Sequence, residues 1–412
     1  MVNASPPSSH ARMTLSVTPT EGGVLETRGS RAALTGFFLS GMLFAFLGAI
    51  LPAWRYHLTE LYMRVGNYFL AFNLGLFAAN RLSAWLLPKK GIQWCLRLSC
   101  GGASAILAGL AYEPSSEVLW RLGGLLLLGV CAGLLHGAIF QAITPIYRHD
   151  AAATGNLAGI FFGAGSLAMA LLVAGTYYVY TVPAILLLIA VVPGLFAVWY
   201  SRVQHDVVVQ SAPKLRDTIK DLRSPIAIQF GLVLMFQSAN EWSVGGWLAL
   251  FLTQRLGVSP SSSLLFLSLY YGALVVGRIA VQSIMPSIRH GKLLIVSSLA
   301  ATLGFVILTF TDNRFGVVSG IAFVGVGFAP VYPLLAERIG DRFPYYDPAL
   351  YHGIFTLAFA GALLVTAGQG YLAAWLGVRS VLIVPMIGSL LVSLLLVAIW
   401  IEMKLSSLNK KS

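Results

Sequence analysis

Acidic side chains are scarce in this chain. Its 412 residues hold 15 Asp and Glu against 27 Lys and Arg, and charged residues of both signs together reach only 10%. Soluble domains carry about 25% charged residues, so a water-facing globular surface is excluded. Cysteine is equally sparse. Cys95, Cys100 and Cys131 are odd in number and lie in or beside apolar runs, so they read as small core residues, and no second pair has zinc-ligand spacing. The basic excess, +12 net, is not gathered into a Lys/Arg stripe with interleaved aromatics, so a nucleic-acid partner is not expected. No apolar h-region follows the first basic residues, so residues 1–30, rich in Ser, Thr, Pro and Gly, read as a disordered tail and not a cleaved signal.

What the chain has in abundance is apolar length: 57% of its residues are hydrophobic. Runs long enough to cross a bilayer fall at approximately 32–54, 63–87, 92–112, 118–146, 153–177 and 182–200, then 226–253, 262–285, 291–311, 315–338, 349–376 and 380–402. These twelve predict an all-α membrane protein of twelve transmembrane helices in two six-helix bundles. The expected organisation is a tail over 1–30, a bundle over 31–200, a basic cytoplasmic linker over 201–224, a second bundle over 225–403 and a tail over 404–412. With both termini inside, the inside segments hold eighteen Lys and Arg and the outside segments six. The positive-inside bias therefore puts both termini in the cytoplasm, as for a multi-pass protein of the cell (inner) membrane. The partners expected are the lipid bilayer and a small-molecule substrate, with the protein a monomer.

With every acid placed, one stands apart. The others lie in tails, loops or helix ends, whereas Glu241 sits near the middle of the seventh run. A carboxylate there costs roughly 2.5–3.5 kcal/mol to insert, so it faces a cavity or a partner. Gln237, Asn240, Val244 and Trp247 follow helical spacing along one face, and Glu241 borders it. Two roles fit Glu241: a substrate-binding group that also carries a coupling proton, or the partner of a buried Arg. His136 and Gln141 in the fourth run and Asn73 in the second add polar groups suited to a hydroxylated ligand; each also suits a plain bridge between helices. Tyr271 and Tyr332 offer rings to the apolar face of a solute. Pro330 and Pro333 bracket Tyr332 and weaken the tenth helix, which suits a gate. Arg81 and Arg278, near the ends of the second and eighth runs, are read as snorkelling or as capping neighbouring helix C-termini, helping to close the inner gate. Glycines of the fifth and eleventh runs allow close helix approach. No set of acids or acid–His pair converges as an enzyme would require, so no catalytic residue, metal or cofactor is expected.

The halves echo one another. Gly75 and Arg81 match Gly272 and Arg278, and Gly159-Ile160-Phe161 matches Gly353-Ile354-Phe355, at nearly the same separation. This is the pattern of parallel repeats about an axis along the membrane normal. On these features the chain resembles the major facilitator superfamily of transporters over nearly everything after residue 30. Asn240-Glu241-Trp242, Gly246-Trp247-Leu248, Tyr271-Gly272 with Gly277-Arg278, and Pro330-Val331-Tyr332-Pro333 are similar to its fucose–proton symporter and sugar-transporter branch. The resemblance implies secondary active transport of a sugar or sugar-like solute by alternating access, with a proton or other cation as co-substrate. Efflux of amphipathic drugs or metabolites is the alternative. Two departures stand out. Asn80 and Gly277 occupy the positions of the family's loop Asp, and the first run holds no acid, so a latch built on that Asp is missing and Glu241 alone is left to carry a proton.

Overall fold

The computed structural model describes residues 21–112, 117–203, 225–284, 287–342 and 354–409. Among them there is no strand. Thirteen α-helices follow in order: α1 (Glu21–Ile50), α2 (Tyr62–Lys90), α3 (Ile92–Leu110), α4 (Glu117–His149), α5 (Ala151–Thr176), α6 (Val182–Arg202), α7 (Pro225–Leu256), α8 (Pro260–Ile284), α9 (His290–Phe310), α10 (Arg314–Phe328), α11 (Val331–Arg342), α12 (Ile354–Leu376) and α13 (Ser380–Asn409). They make twelve helical segments, because α10 and α11 are one segment interrupted at Ala329-Pro330, and ten of the twelve are long and apolar enough to cross a membrane. The break has a local cause. Proline at 333 has no N–H to offer the carbonyl four residues back, and Pro330 ends the preceding ladder; Ala329 falls back on a shorter bond to Val326 O, 3.3 Å.

Helix ends follow local chemistry. Asp150 caps α5 by accepting from Ala153 N, 2.9 Å, and Asn313 caps α10 by accepting from Gly316 N, 2.7 Å. Gly91 and Gly377, with φ near +81° and +82°, end α2 and α12 in the left-handed region that a side chain resists. Two boundaries depart from expectation. Helix α1 begins at Glu21, inside the segment read as a tail, since Pro19 is the last proline before the span and nothing after it forbids helix. Helix α13 runs to Asn409, past the expected end of the second bundle. The linker lies outside the described residues from 204 to 224, as do residues 1–20.

Small residues set how closely the helices pack, and they do so in a repeated pattern. A Cβ on Gly165 of α5 would strike the Phe38 carbonyl of α1, and one on Gly361 of α12 would strike the Met235 carbonyl of α7. Likewise Gly129 of α4 lies on the Phe72 carbonyl of α2, and Gly325 of α10 on the Tyr270 carbonyl of α8. The first and fifth spans thus meet as the seventh and eleventh do, and the second and fourth as the eighth and tenth do. Such backbone approach is how helices associate where lipid offers no hydrophobic drive. Across the halves α5 packs on α8, α2 on α12, and α1 on α7. At the end remote from the termini this seam is closed by Gly48 against Gly245, Gly66 against Gly370, and Gln254 Nε2 donating to Thr59 O, 3.3 Å.

Candidate functional site

Where the halves meet, a cavity leaves about 170 Å³ open to the centres of water-sized molecules. Helix periodicity presents its walls. Phe37 and Phe44 line it from α1; His136, Phe140 and Tyr147 from α4; Gly159, Phe162 and Ser166 from α5; and Tyr332, Ala336 and Phe359 from α11 and α12. Helix α7 offers Ser238, Glu241, Trp242 and Gly245, an i, i+3, i+4, i+7 face, and α8 offers Tyr270, Tyr271 and Arg278. The walls are mainly aromatic. Phe44 is their hub, with ring centroids 4.9 Å from Trp242, 5.2 Å from His136 and 5.4 Å from Phe162.

Two charges face this aromatic space. Glu241 accepts from Gln237 Nε2 one helical turn earlier, 2.8 Å, which fixes one carboxylate oxygen. Arg278 is only 5% exposed. Its Nη1 donates to the Gly159 carbonyl of α5, and its Nε–H has no partner. Its own backbone carbonyl accepts from Asn156 Nδ2, 2.9 Å, and the same amide donates to Gln282 Oε1, 2.7 Å. Asn156 and Gly159 of one half therefore hold Arg278 of the other. Glu241 and Arg278 both line the cavity, but they form no direct ion pair among the described residues. His136 Nδ1 lies 2.9 Å from Ser40 Oγ.

The structure brings together only part of the set expected from sequence. Glu241, His136, Tyr271, Tyr332 and Arg278 line the cavity. Gln237 touches it only through Glu241. Asn240, Trp247, Asn73 and Gln141 are buried elsewhere. Asn240 points at Gly388 of α13 and leaves its Nδ2 unpaired. Trp247 is fully buried, stacks on Phe69 at 5.5 Å and donates from Nε1 to Thr366 O of α12, 3.1 Å. Asn73 donates to Thr366 Oγ1, 2.9 Å. Gln141 is 3% exposed within α4. The face of α7 that looks into the cavity is therefore rotated by one residue from the stripe Gln237–Asn240–Val244–Trp247. That stripe is the packing face, and Trp247 bonds it to α12. Arg81 is exposed on α2, away from the cavity, and Arg278 does not snorkel but is locked between α5 and α8. Pro330 and Pro333 flank the break in the tenth span. Trp242, which meets Phe44 across the cavity, belongs to the Asn240-Glu241-Trp242 pattern of the seventh run.

A cavity on the seam between two repeated halves, in a chain built of membrane-spanning helices, defines a multi-pass integral membrane carrier. Residues 151–367 match the Major Facilitator Superfamily, and the chain belongs to that transporter family. An uncharacterized MFS-type transporter of Yersinia pestis is 27% identical over 143 residues, 35% of this chain; the match covers 37% of that relative's length. The fold is similar to that of the E. coli fucose:proton symporter, with TM-score 0.65 and 14% identity over 90% of this chain and 98% of that one. It is similar also to a D-xylose-proton symporter, with TM-score 0.70 and 13% identity over 90% and 97%.

Proposed function

We propose that this protein is a secondary active transporter that rocks its two halves about the cavity, carrying a small solute with a flat apolar body and one polar end. The observation that carries this reading is the cavity itself: aromatic walls drawn from both halves, with Glu241 and Arg278 facing one space. Rings bind a flat apolar surface, and the few polar groups set orientation. A sugar is the second reading. The rings suit its C–H faces, and the two symporters of similar fold are named for sugars. Against it, the amides expected to bind hydroxyls, Asn73, Gln141, Gln237 and Asn240, sit outside the cavity lining. Coupling to a proton rests on Glu241, the acid of the lining set. Lining residues such as Tyr147, Gly155, Ala336 and Ala358 lie near the helix ends on the side of the termini, so the state described opens toward that side.

The test is two-sided access. Ser238→Cys in a chain whose Cys95, Cys100 and Cys131 are replaced by Ala should react with an impermeant maleimide added from either face of the membrane, in competition with a carried solute. Labelling from one face only, under every condition, contradicts alternating access. Glu241→Gln should abolish accumulation against a gradient while sparing exchange; undiminished accumulation would remove the coupling role.

A further inference from the structure

Resting on that reading, we infer that the solute is an organic monocarboxylate with a flat aromatic or similarly apolar body, its carboxylate bound by Arg278. Arg278 is nine-tenths buried, lines the cavity and has an N–H without a partner, while one terminal N–H is already held by Gly159. A guanidinium keeps its charge in a protein and presents its donors as a planar fork that fits a carboxylate. The fork is held from the opposite half by the Gly159 carbonyl, and the backbone that carries it by Asn156. It has to be balanced where it stands.

Charge accounting selects the ligand. In the empty cavity the Arg278 cation is offset by the Glu241 anion, and no ionised group is left uncompensated in a space walled by rings. A neutral solute leaves that arrangement untouched and offers no anion to the buried, unpaired Nε–H. An amine would suit Glu241 but be repelled by Arg278. A carboxylate satisfies the fork and leaves Glu241 surplus, and a proton on Glu241 then restores neutrality. The other titratable groups facing Glu241 are Tyr270 and Tyr271 of α8, Tyr332 of α11, and His136 and Tyr147 of α4; α1, α5 and α12 contribute none to the lining. His136 is tied to Ser40 among phenylalanine rings, so Glu241 is the group placed to exchange the proton. The step is balanced: one carboxylate enters, one proton is taken up by the Glu241 carboxylate, and cavity charge is unchanged. Loading is thus electroneutral, one proton per carboxylate.

The experiment is calorimetric titration of the full-length protein in lipid nanodiscs with phenylacetate, phenylacetamide, phenethylamine and phenylalanine. Buffers of different ionisation heat count the protons taken up. Phenylacetate should bind at least about tenfold more tightly than its amide or amine, with close to one proton taken up per molecule bound. Glu241→Gln should bind it with no proton uptake and no dependence on pH near neutrality. Arg278→Lys, which keeps the charge but loses the fork, should weaken it by about tenfold or more. Should Arg278→Lys fail to fold, the loss of proton uptake in Glu241→Gln decides alone. Equal affinity for acid and amide, binding without proton uptake in the unaltered protein, or tighter uptake-free binding of phenylalanine overturns the inference. If a neutral solute is carried and the acid is not, the inference falls while transport through the cavity stands. One-sided labelling at Ser238→Cys would instead remove the transport reading itself.

Discussion

Replacing Gly48 by Ala should hold the carrier away from the state described here. A methyl group at Gly48 would meet the Gly245 carbonyl, with Gly245 C and Gly246 Cα both at 2.9 Å. Carbon atoms rest at about 3.5–4.0 Å, so α1 and α7 must part by at least roughly 0.6 Å, and by more to clear the nearer carbonyl oxygen. The obstruction is backbone, which has no rotamer to turn away. Such overpacking typically costs about 1–3 kcal/mol. If rocking separates these helices at the end remote from the termini, the cost falls on the closed state alone. A differential of that size shifts the two-state ratio by about 5- to 150-fold. The assay is maleimide labelling of Ser238→Cys from each face, with and without Gly48→Ala. Labelling from the side remote from the termini should rise and from the other side fall. A well-folded Gly48→Ala chain with an unchanged labelling ratio would refute the idea that this seam opens during transport.

Trp247→Phe keeps a ring for the Phe69 stack but loses the bond to Thr366 O, so it should cost stability by about 0.6 kcal/mol, the average for such bonds in membranes; denaturant unfolding in micelles measures it, and a loss of solute affinity exceeding the loss of stability would place Trp247 in the site after all. Asn73→Leu, which removes the donor to Thr366, should likewise lower stability and leave the cavity lining intact, as solute titration would report. Asn156→Ala frees Arg278 from one of its two holds across the halves and should weaken the α5–α8 contact; double electron–electron resonance between labels on α5 and α8 should then show a broader distance distribution, and an unchanged one would argue against a holding role. Pro333→Ala returns an N–H to the Ala329 carbonyl and should join α10 to α11 more rigidly, slowing transport without weakening solute binding.

Much of the fold was legible because a bilayer imposes so few options. A run of about 20 apolar residues must be helical, since any other backbone leaves polar groups unpaired in lipid. The interruption of the tenth span was legible too, because Pro330 and Pro333 act through their own backbone. The candidate site was legible only in part. Glu241 stood out by its cost in an apolar helix, and that cost is a property of the residue. Which neighbours share its cavity is not. Gln237, Asn240 and Trp247 are as polar as Ser238, Glu241 and Trp242, and a helix with polar residues on two adjacent faces does not say which one meets a partner helix.

The amino-acid sequence alone determined the number of spans, the repeat of one half in the other and the single acid placed deep in a helix, because each follows from local hydropathy, spacing or charge. Only the tertiary structure decided that α7 turns Ser238–Gly245 to the cavity and packs Asn240 and Trp247 against α13 and α12. It alone brought Arg278 from a supposed helix end into the same space as Glu241. Both depend on how closely glycines let the helices approach and on bonds between residues more than a hundred positions apart, such as Arg278 to Gly159, which no local pattern encodes.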